Sequence, residues 1–364
     1  MKGIVLRKDF AKALNTVSHF VAHRAQLPIL SNILIKADKA KLYLYATNLE
    51  MSVALSLGAK VDESGEIAVP ARTLTDLVNN LSGEELGLDV KQETLQLTSE
   101  GFSGTVSSMN SSDFPQVPQV IEKESRQFSS EVLLYSISQV IYSVSNDETR
   151  PVLSGMLFKI ENDVLQLVAS DGYRLAQKNT PLKDKGDDVS VVIPKSILGE
   201  LSKIDIQERV SFEYRKKDNQ VVFASGDIVL SSRTVDGDYP PFESVINKPT
   251  NITVSLDKEE LLKAVKVSAV YAREGGNAVK FIVNSDGLTL FAQSSSVGSQ
   301  ETKVDAKVDG GETEISLNYK FVEDLLNVMK SPNINIQLQD SSTPVKFRSD
   351  DSDETLHLVM PLKS

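Results

Sequence analysis

The chain repeats itself three times, and this limits its fold more than any single motif does. Ile67-Ala68-Val69-Pro70-Ala71 recurs as Val191-Val192-Ile193-Pro194-Lys195 and again as Glu314-Ile315-Ser316-Leu317-Asn318. In each case a short alternating strand runs straight into a helical pattern. Leu74, Leu198 and Val322 head the apolar stripe of that helix, and Leu77, Leu201 and Leu325 follow at the same spacing of about 124 residues. Leu74, Leu77, Val78 and Leu81 fall at i, i+3, i+4 and i+7, one face of a helix. Pro28-Ile29-Leu30-Ser31-Asn32 matches Pro151-Val152-Leu153-Ser154-Gly155, and Asp113-Phe114-Pro115 returns as Asp238-Tyr239-Pro240. Ala46-Thr47-Asn48 matches Ala169-Ser170-Asp171 and Ala292-Gln293-Ser294.

Dividing 364 residues by three gives a comfortable domain size. The expected domains are 1–121, 122–246 and 247–364, with boundaries near the proline-containing links 116–124 and 245–251. Each repeat opens with a helical pattern, at 9–20, 131–144 and 257–271, and period-2 strands such as 41–45 and 164–167 follow. A second helix comes next, then further strands including 94–98 and 221–224. Strands without alternating crossover helices favour antiparallel sheets, so the fold class is α+β, two helices on one face of an antiparallel sheet, three times over.

A search for chemistry returns mostly negatives. With no cysteine, disulfides, zinc ribbons, iron–sulfur clusters and cysteine nucleophiles are all excluded, and three histidines leave little for a metal cage or a catalytic triad. His19 and His23 are spaced i, i+4 but lack the glutamate of a metalloprotease helix and any third ligand. The run Asp350-Asp351-Ser352-Asp353-Glu354 lacks the glycine and spacing of a calcium loop and reads as a solvated turn, as does Gly275-Gly276. No phosphate-cradling loop or dinucleotide fingerprint occurs. No catalytic residue, metal or cofactor is therefore expected, and the protein is not read as an enzyme. No stretch approaches eighteen consecutive apolar residues, and the opening MKGIVLRKDF carries charges where a signal peptide needs an apolar run. The expected location is cytoplasmic.

A net charge of −11 argues against a uniformly basic nucleic-acid coat but leaves room for a small basic face. The helical segments supply one. Lys8, Lys12, Arg24 and Arg72 belong to the first repeat's helices or their edges, and Lys195 and Lys203 to the second's. Lys258, Lys263, Lys266, Arg273, Lys320 and Lys330 belong to the third, whereas the second repeat's opening helix carries Ser, Tyr and Gln instead. Brought to one surface, these cations would attract phosphates without reading bases.

These features come together in a family resemblance. Leu27-Pro28-Ile29-Leu30, Thr47-Asn48-Leu49-Glu50, Val69-Pro70-Ala71-Arg72 and Arg150-Pro151-Val152-Leu153-Ser154-Gly155 resemble segments of the bacterial β sliding clamps, the processivity subunits of replicative DNA polymerases. So do Ser170-Asp171-Gly172-Tyr173-Arg174-Leu175-Ala176, Val235-Asp236-Gly237-Asp238-Tyr239-Pro240 and the terminal Val359-Met360-Pro361-Leu362, in the same order over essentially the whole chain. The resemblance implies three DNA-clamp domains per chain and a head-to-tail homodimer closing into a six-domain ring around duplex DNA. It implies DNA contacts at Arg24, Arg72 and Lys195. It also implies a hydrophobic groove for short peptides of the polymerase, the clamp loader and repair proteins. Matching groove positions are Leu153, Ser170, Gly172, Tyr173, Arg174, Leu175, Pro240, Val245, Met360, Pro361 and Leu362. The terminal Met360-Pro361-Leu362 is not repeated, and Leu49-Glu50 and Ser296-Val297 stand near the Tyr173-Arg174 position, which suggests one groove per chain.

Dimer contacts are expected to join the strand around Gly104, Val106 and Ser108 to the third repeat around Val270 and Tyr271. Two departures stand out: Ser244 where the best-known relatives carry Arg, and Gly104 where a relative carries a bulky aromatic. The competing readings are an acidic three-domain binding scaffold that does not encircle DNA, and a hydrolase built on carboxylates such as Glu50, Asp171, Asp236 and Asp238.

Overall fold

The structure is a computed structural model that describes residues 1–22, 26–121, 125–147, 149–183 and 186–362. Its helices are α1 (Arg7–Val17), α2 (Ala71–Asn80), α3 (Ser130–Ser138), α4 (Lys195–Leu201), α5 (Glu243–Ile246), α6 (Lys258–Ala272) and α7 (Tyr319–Val328). α1, α3 and α6 open the three repeats, and α2, α4 and α7 follow the matched strand motifs. Local chemistry sets where they begin. Pro70 and Pro194 end their strands, and the helix starts at the next residue in both cases. In the third repeat Asn318 does the same work by accepting the Lys320 N–H at 3.0 Å. α6 starts on Asp257, whose carboxylate accepts the Glu260 N–H at 2.9 Å.

The strands form four antiparallel sheets, and two of them cross repeat boundaries. One eight-stranded sheet runs Arg126–Ser129, Arg209–Arg215, Gln220–Ser225, Ile228–Arg233, Met51–Gly58, Lys41–Thr47, Asn32–Asp38, Gly65–Pro70. Its middle joins the second repeat to the first, Ser232 opposite Met51 and Ile228 opposite Leu55. A nine-stranded sheet runs Val189–Pro194, Gly155–Glu161, Val164–Ser170, Arg174–Pro181, Thr355–Val359, Val345–Ser349, Asn333–Leu338, Ile252–Asp257, Ala306–Asp309. There Arg174 lies opposite Val359 and Lys178 opposite Thr355, joining the second repeat to the third. A five-stranded sheet of the first repeat ends on Phe102–Ser107, and a four-stranded sheet of the third ends on Gly298–Val304.

The chain accordingly gathers into two compact units, Met1–Val132 with Ser196–Thr234, and Leu133–Lys195 with Val235–Ser364. The second repeat contributes strands to both. In the first unit α1 buries Phe10, Ala13, Leu14 and Val17, and α2 buries Leu74 and Val78. Leu77 and Leu81, expected on the same stripe, are only half-buried. The two helices are tied by reciprocal amide bonds between Asn15 and Asn79 and by Ser18 to Thr75 at 2.8 Å. In the second unit α6 and α7 lay Leu261, Val265, Val322 and Leu326 on a core with Phe281, Leu290, Phe347 and Val359. Truncating such a fully buried leucine to alanine costs about 2–5 kcal/mol, so these faces fix where each helix sits. Gly275-Gly276 and the acidic run at 350–354 lie in turns and bends, as expected.

Candidate functional site

The expected peptide groove lies within the second compact unit, on a turn linking the strands Val164–Ser170 and Arg174–Pro181. Asp171 Oδ1 accepts the Tyr173 and Arg174 N–H groups at 2.9 and 3.0 Å, and Ser170 Oγ donates to the Arg174 carbonyl at 2.8 Å. Gly172 adopts φ +90°, and a Cβ there would meet Arg150 Nη1 at 3.0 Å, so the turn needs glycine. Tyr173 is left 63% exposed. Its carbonyl accepts the Met360 N–H at 2.8 Å, and the Leu362 N–H reaches the Ser316 carbonyl at 2.8 Å, so the terminal segment lies beside the turn.

Beside this turn an apolar cluster of Leu157, Val168, Leu175, Val192, Phe242 and Leu358 is flanked by Val152, Val235, Tyr239, Val245, Ile246 and Met360. Of the residues named from the sequence, Leu175, Val245 and Met360 thus meet in one slot, and Ser170, Gly172, Tyr173 and Arg174 make its polar end. Leu153 is buried on the one-turn helix Pro151–Ser154, its carbonyl accepting the Ser145 N–H. Pro361 and Leu362 are half-buried, and Pro240 and Ser244 are exposed.

Arg174 is held from several sides. Nε donates to Asp171 Oδ2 at 2.9 Å, Nη1 to Asp324 Oδ2 at 2.5 Å and Nη2 to the Tyr142 carbonyl at 2.9 Å. Phe321 and Tyr142 cover it at 4.7 and 5.2 Å from their ring centroids. Asp324 and Phe321 belong to α7, so the second repeat's turn is tied to the third repeat's helix.

The first repeat carries a related turn. Asn48 makes the same turn as Asp171, accepting the Glu50 and Met51 N–H groups at 3.0 and 2.8 Å, and the Arg233 N–H meets the Glu50 carbonyl as Met360 meets Tyr173. By that register Ser52 and Ser231 occupy the places of Leu175 and Leu358. The two buried hydroxyls bond each other at 2.6 Å, and the same repeat carries its own apolar cluster of Ile29, Leu30, Tyr45, Ala54, Ala68 and Phe114.

The helical cations are less uniform than their sequence suggested. Arg24 and His23 lie outside the described residues. Arg72 projects from α2 almost fully exposed, with Asp76 3.7 Å away. Lys195 is half-buried, and its Nζ donates to Asn146 Oδ1 at 3.1 Å. Burial, with the Arg174 charge nearby, holds its ammonium below the usual lysine range. Lys12, Lys203 and Lys258 are paired with Asp205, Glu200 and Glu259. The helices other than α5 carry nine Lys or Arg and eight Asp or Glu, so the chain's acidic excess sits in strands and connections.

The expected dimer residues fall at an edge and on a helix. Gly104 and Val106 lie on the edge strand Phe102–Ser107, with Ser108 just beyond it, and Val106 is buried. A Cβ on Gly104 would sit 2.6 Å from Phe102 Cζ, so the ring of Phe102 covers the glycine and supplies aromatic bulk on that edge. On α6, Val270 is 53% exposed and Val267 49%, while Tyr271 packs partly against the core.

Several residues escaped sequence reasoning. Asp76, Glu200 and Asp324 occupy the sixth position of α2, α4 and α7, the same spacing as the leucine stripe, which was the signal available. Glu200 accepts from His19 Nδ1 and from Lys203, both at 2.8 Å. His19 is thus engaged by a carboxylate. His357, by contrast, is wholly buried, its Nδ1 2.8 Å from the Tyr142 hydroxyl. Burial holds its pKa down to about 3, with the Lys178 charge adding to the effect. Among the described residues no group of three or more His, Asp or Glu could hold a metal. Asp171 is committed to its turn and to Arg174. No described helix is long and apolar enough to cross a membrane.

Three like repeats of helices on shared antiparallel sheets define a clamp-type α+β chain, with an apolar cluster where the last two repeats join. Models of the N-terminal, central and C-terminal domains of the DNA polymerase III beta subunit match residues 1–118, 127–241 and 243–363, and the chain belongs to that family. The beta sliding clamp of Staphylococcus aureus is 29% identical over 375 aligned residues, covering 100% of both chains. Among solved structures, the Bacillus subtilis DNA polymerase sliding clamp aligns with TM-score 0.96 at 25% identity, over 100% of this chain and 99% of that one. The Pseudomonas aeruginosa DNA polymerase III subunit beta aligns at 0.94 and 25%, over 100% of both.

Proposed function

We propose that the protein is a DNA sliding clamp: it encircles duplex DNA and tethers the replicative polymerase, conferring processivity. The observation that carries this reading is the pair of open sheet ends. Within one chain, both junctions between repeats are made by pairing edge strands into sheets of eight and nine strands. The five-stranded and four-stranded sheets each end on an edge strand of the length those junctions use, Phe102–Ser107 and Gly298–Val304. Joining one protomer's first edge to its partner's second would make a third sheet of nine. Exposed edges are templates for such pairing. The contact is heterologous, and when it closes after two copies it gives a ring rather than a filament. Val267 and Val270 on α6 would then be covered by the partner.

The mechanism is topological. DNA inside a closed ring leaves only when the ring opens, while sliding merely breaks and remakes weak phosphate contacts. Arg24, Arg72 and Lys195 are the proposed DNA contacts, with Arg72 the most extended of the described pair. A dimer carries twice the −11 of one chain, so the outer surface repels DNA while the near-neutral helices tolerate it. The polymerase, the clamp loader and repair proteins dock short peptides in the slot around Leu153, Leu175, Val245 and Met360, with Ser170, Gly172, Tyr173 and Arg174 at its polar end and Pro240, Pro361 and Leu362 along its rim. The domains run 1–121, 122–246 and 247–364. The protein catalyses nothing itself and needs no cofactor or metal, because positioning its partners is its whole contribution. It acts in the cytoplasm, where the DNA is. Retention on circular DNA with release on linearisation tests this reading.

A further inference from the structure

We propose that Asp324 of α7 is a positioning residue for the partner-peptide groove and acts through Arg174. The proposal rests on the groove reading above and adds a residue that contacts no peptide. Arg174 carries a positive charge at the turn, the obvious ligand for a peptide carboxylate. Yet its Nε, Nη1 and Nη2 donate to Asp171, Asp324 and the Tyr142 carbonyl at 2.9, 2.5 and 2.9 Å. The Tyr142 and Phe321 rings lie against it, and only 13% of its side chain is exposed. Three of its five N–H groups are so engaged, and the guanidinium is held in place rather than free to swing onto a carboxylate. What it does hold is the turn: Asp171 bonds the guanidinium with one oxygen and the Tyr173 and Arg174 N–H groups with the other.

Asp324 closes this chain of bonds from the third repeat. Removing its charge leaves Nη1 at most a neutral acceptor, weakens the tie from the third repeat, and loosens the turn whose Tyr173 carbonyl anchors Met360. The Asp324 side chain is 47% exposed, so its loss opens no core cavity. A parallel exists at the other junction, where Glu200, the equivalent acid of α4, takes His19 of the first repeat at 2.8 Å. An acid at this helical position therefore ties each repeat to the one before it.

The probe is a fluorescein-labelled peptide selected by phage display on the full-length wild-type protein, read by fluorescence anisotropy. Met360→Glu tests the groove reading, Asp324→Asn and Asp324→Glu test the residue, and Arg174→Ala with and without Asp324→Asn tests the route. Met360→Glu should abolish binding. Asp324→Asn should weaken it about five- to tenfold, as one charge-assisted hydrogen bond falls to a neutral one, with the thermal midpoint lowered by no more than a few degrees. Asp324→Glu should return it to within about twofold of wild type, since it restores the acceptor. In the Arg174→Ala background, Asp324→Asn should change nothing further. If Met360→Glu binds as wild type does, the groove reading fails and takes the proposal with it. If Met360→Glu is dead but Asp324→Asn binds normally, or weakens Arg174→Ala further, the groove stands and the positioning role is overturned.

Discussion

Acidification should weaken the second compact unit through one buried imidazole. His357 is fully inaccessible, bonded only at Nδ1 to the Tyr142 hydroxyl, and its Nε2 has no partner. Burial, then the nearby Lys178 charge, brings its pKa from the ordinary 6.5 to about 3. The folded value lies below the unfolded one, so between these limits the unfolded chain binds the additional proton. Stability from this group is therefore complete above about pH 6.5 and declines as pH falls toward 3. Each pH unit in that window costs about 1.4 kcal/mol, and the step from pH 7 to pH 5 removes about 2 kcal/mol. Urea unfolding followed by circular dichroism at both pH values measures this, with His357→Gln as the control, since glutamine can keep the Tyr142 bond but does not titrate. Wild type should lose about 2 kcal/mol more than the variant. Equal losses would show that the imidazole is solvated or already charged, and would refute the reasoning.

Three further outcomes follow from the geometry. Val270→Glu puts a charge on the exposed face of α6, leaving the monomer folded by circular dichroism. Sedimentation should shift from dimer to monomer at micromolar concentration, and a dimer that persists would remove α6 from the interface. Replacing Arg24 and Arg72 by Ala should reduce processivity most at low salt, each lost phosphate contact lowering the salt slope by about one. Arg72 is almost fully exposed, so its loss should leave the thermal midpoint unchanged, and unaltered processivity at several salt concentrations would strike both from the DNA contacts. Gly172→Val forces a branched residue to φ +90° against Arg150 and should cost about 2 kcal/mol in urea unfolding while weakening peptide binding; a neutral effect would mean the turn relaxes freely.

How much of this was legible in the sequence depended on distance along the chain. The helices were, because Leu74, Leu198 and Val322 repeat with period and caps that act within a few residues. The sharing of strands between repeats was not: nothing in Ile228–Arg233 says it will pair with Met51–Gly58, since edge and central strands alternate alike. The missing cations of α3 were visible, but their reason was not. Gln139 donates to the Val328 carbonyl at 2.7 Å and Tyr135 lies 4.4 Å beneath Lys330, so that helix faces the third repeat. The apolar residues around Leu175 were identified by resemblance, whereas the bond between Ser52 and Ser231 was not, because they look like ordinary strand serines until the register brings them together. His357 was overlooked because strand alternation predicts one open face. Thr355–Val359 is buried on both, with the helix-covered core on one side and the slot on the other.

The central claim is topological, and retention on DNA tests it most directly. Protein loaded by its clamp loader onto a singly nicked circular plasmid is passed through a gel-filtration column, and the plasmid is then linearised and the measurement repeated. A closed ring predicts co-elution with the circle, survival of that association at salt high enough to erase phosphate contacts, and release once the DNA has ends. Equal retention on circular and linear DNA, or loss from the circle as salt rises, would mean that the protein binds the backbone rather than surrounding it.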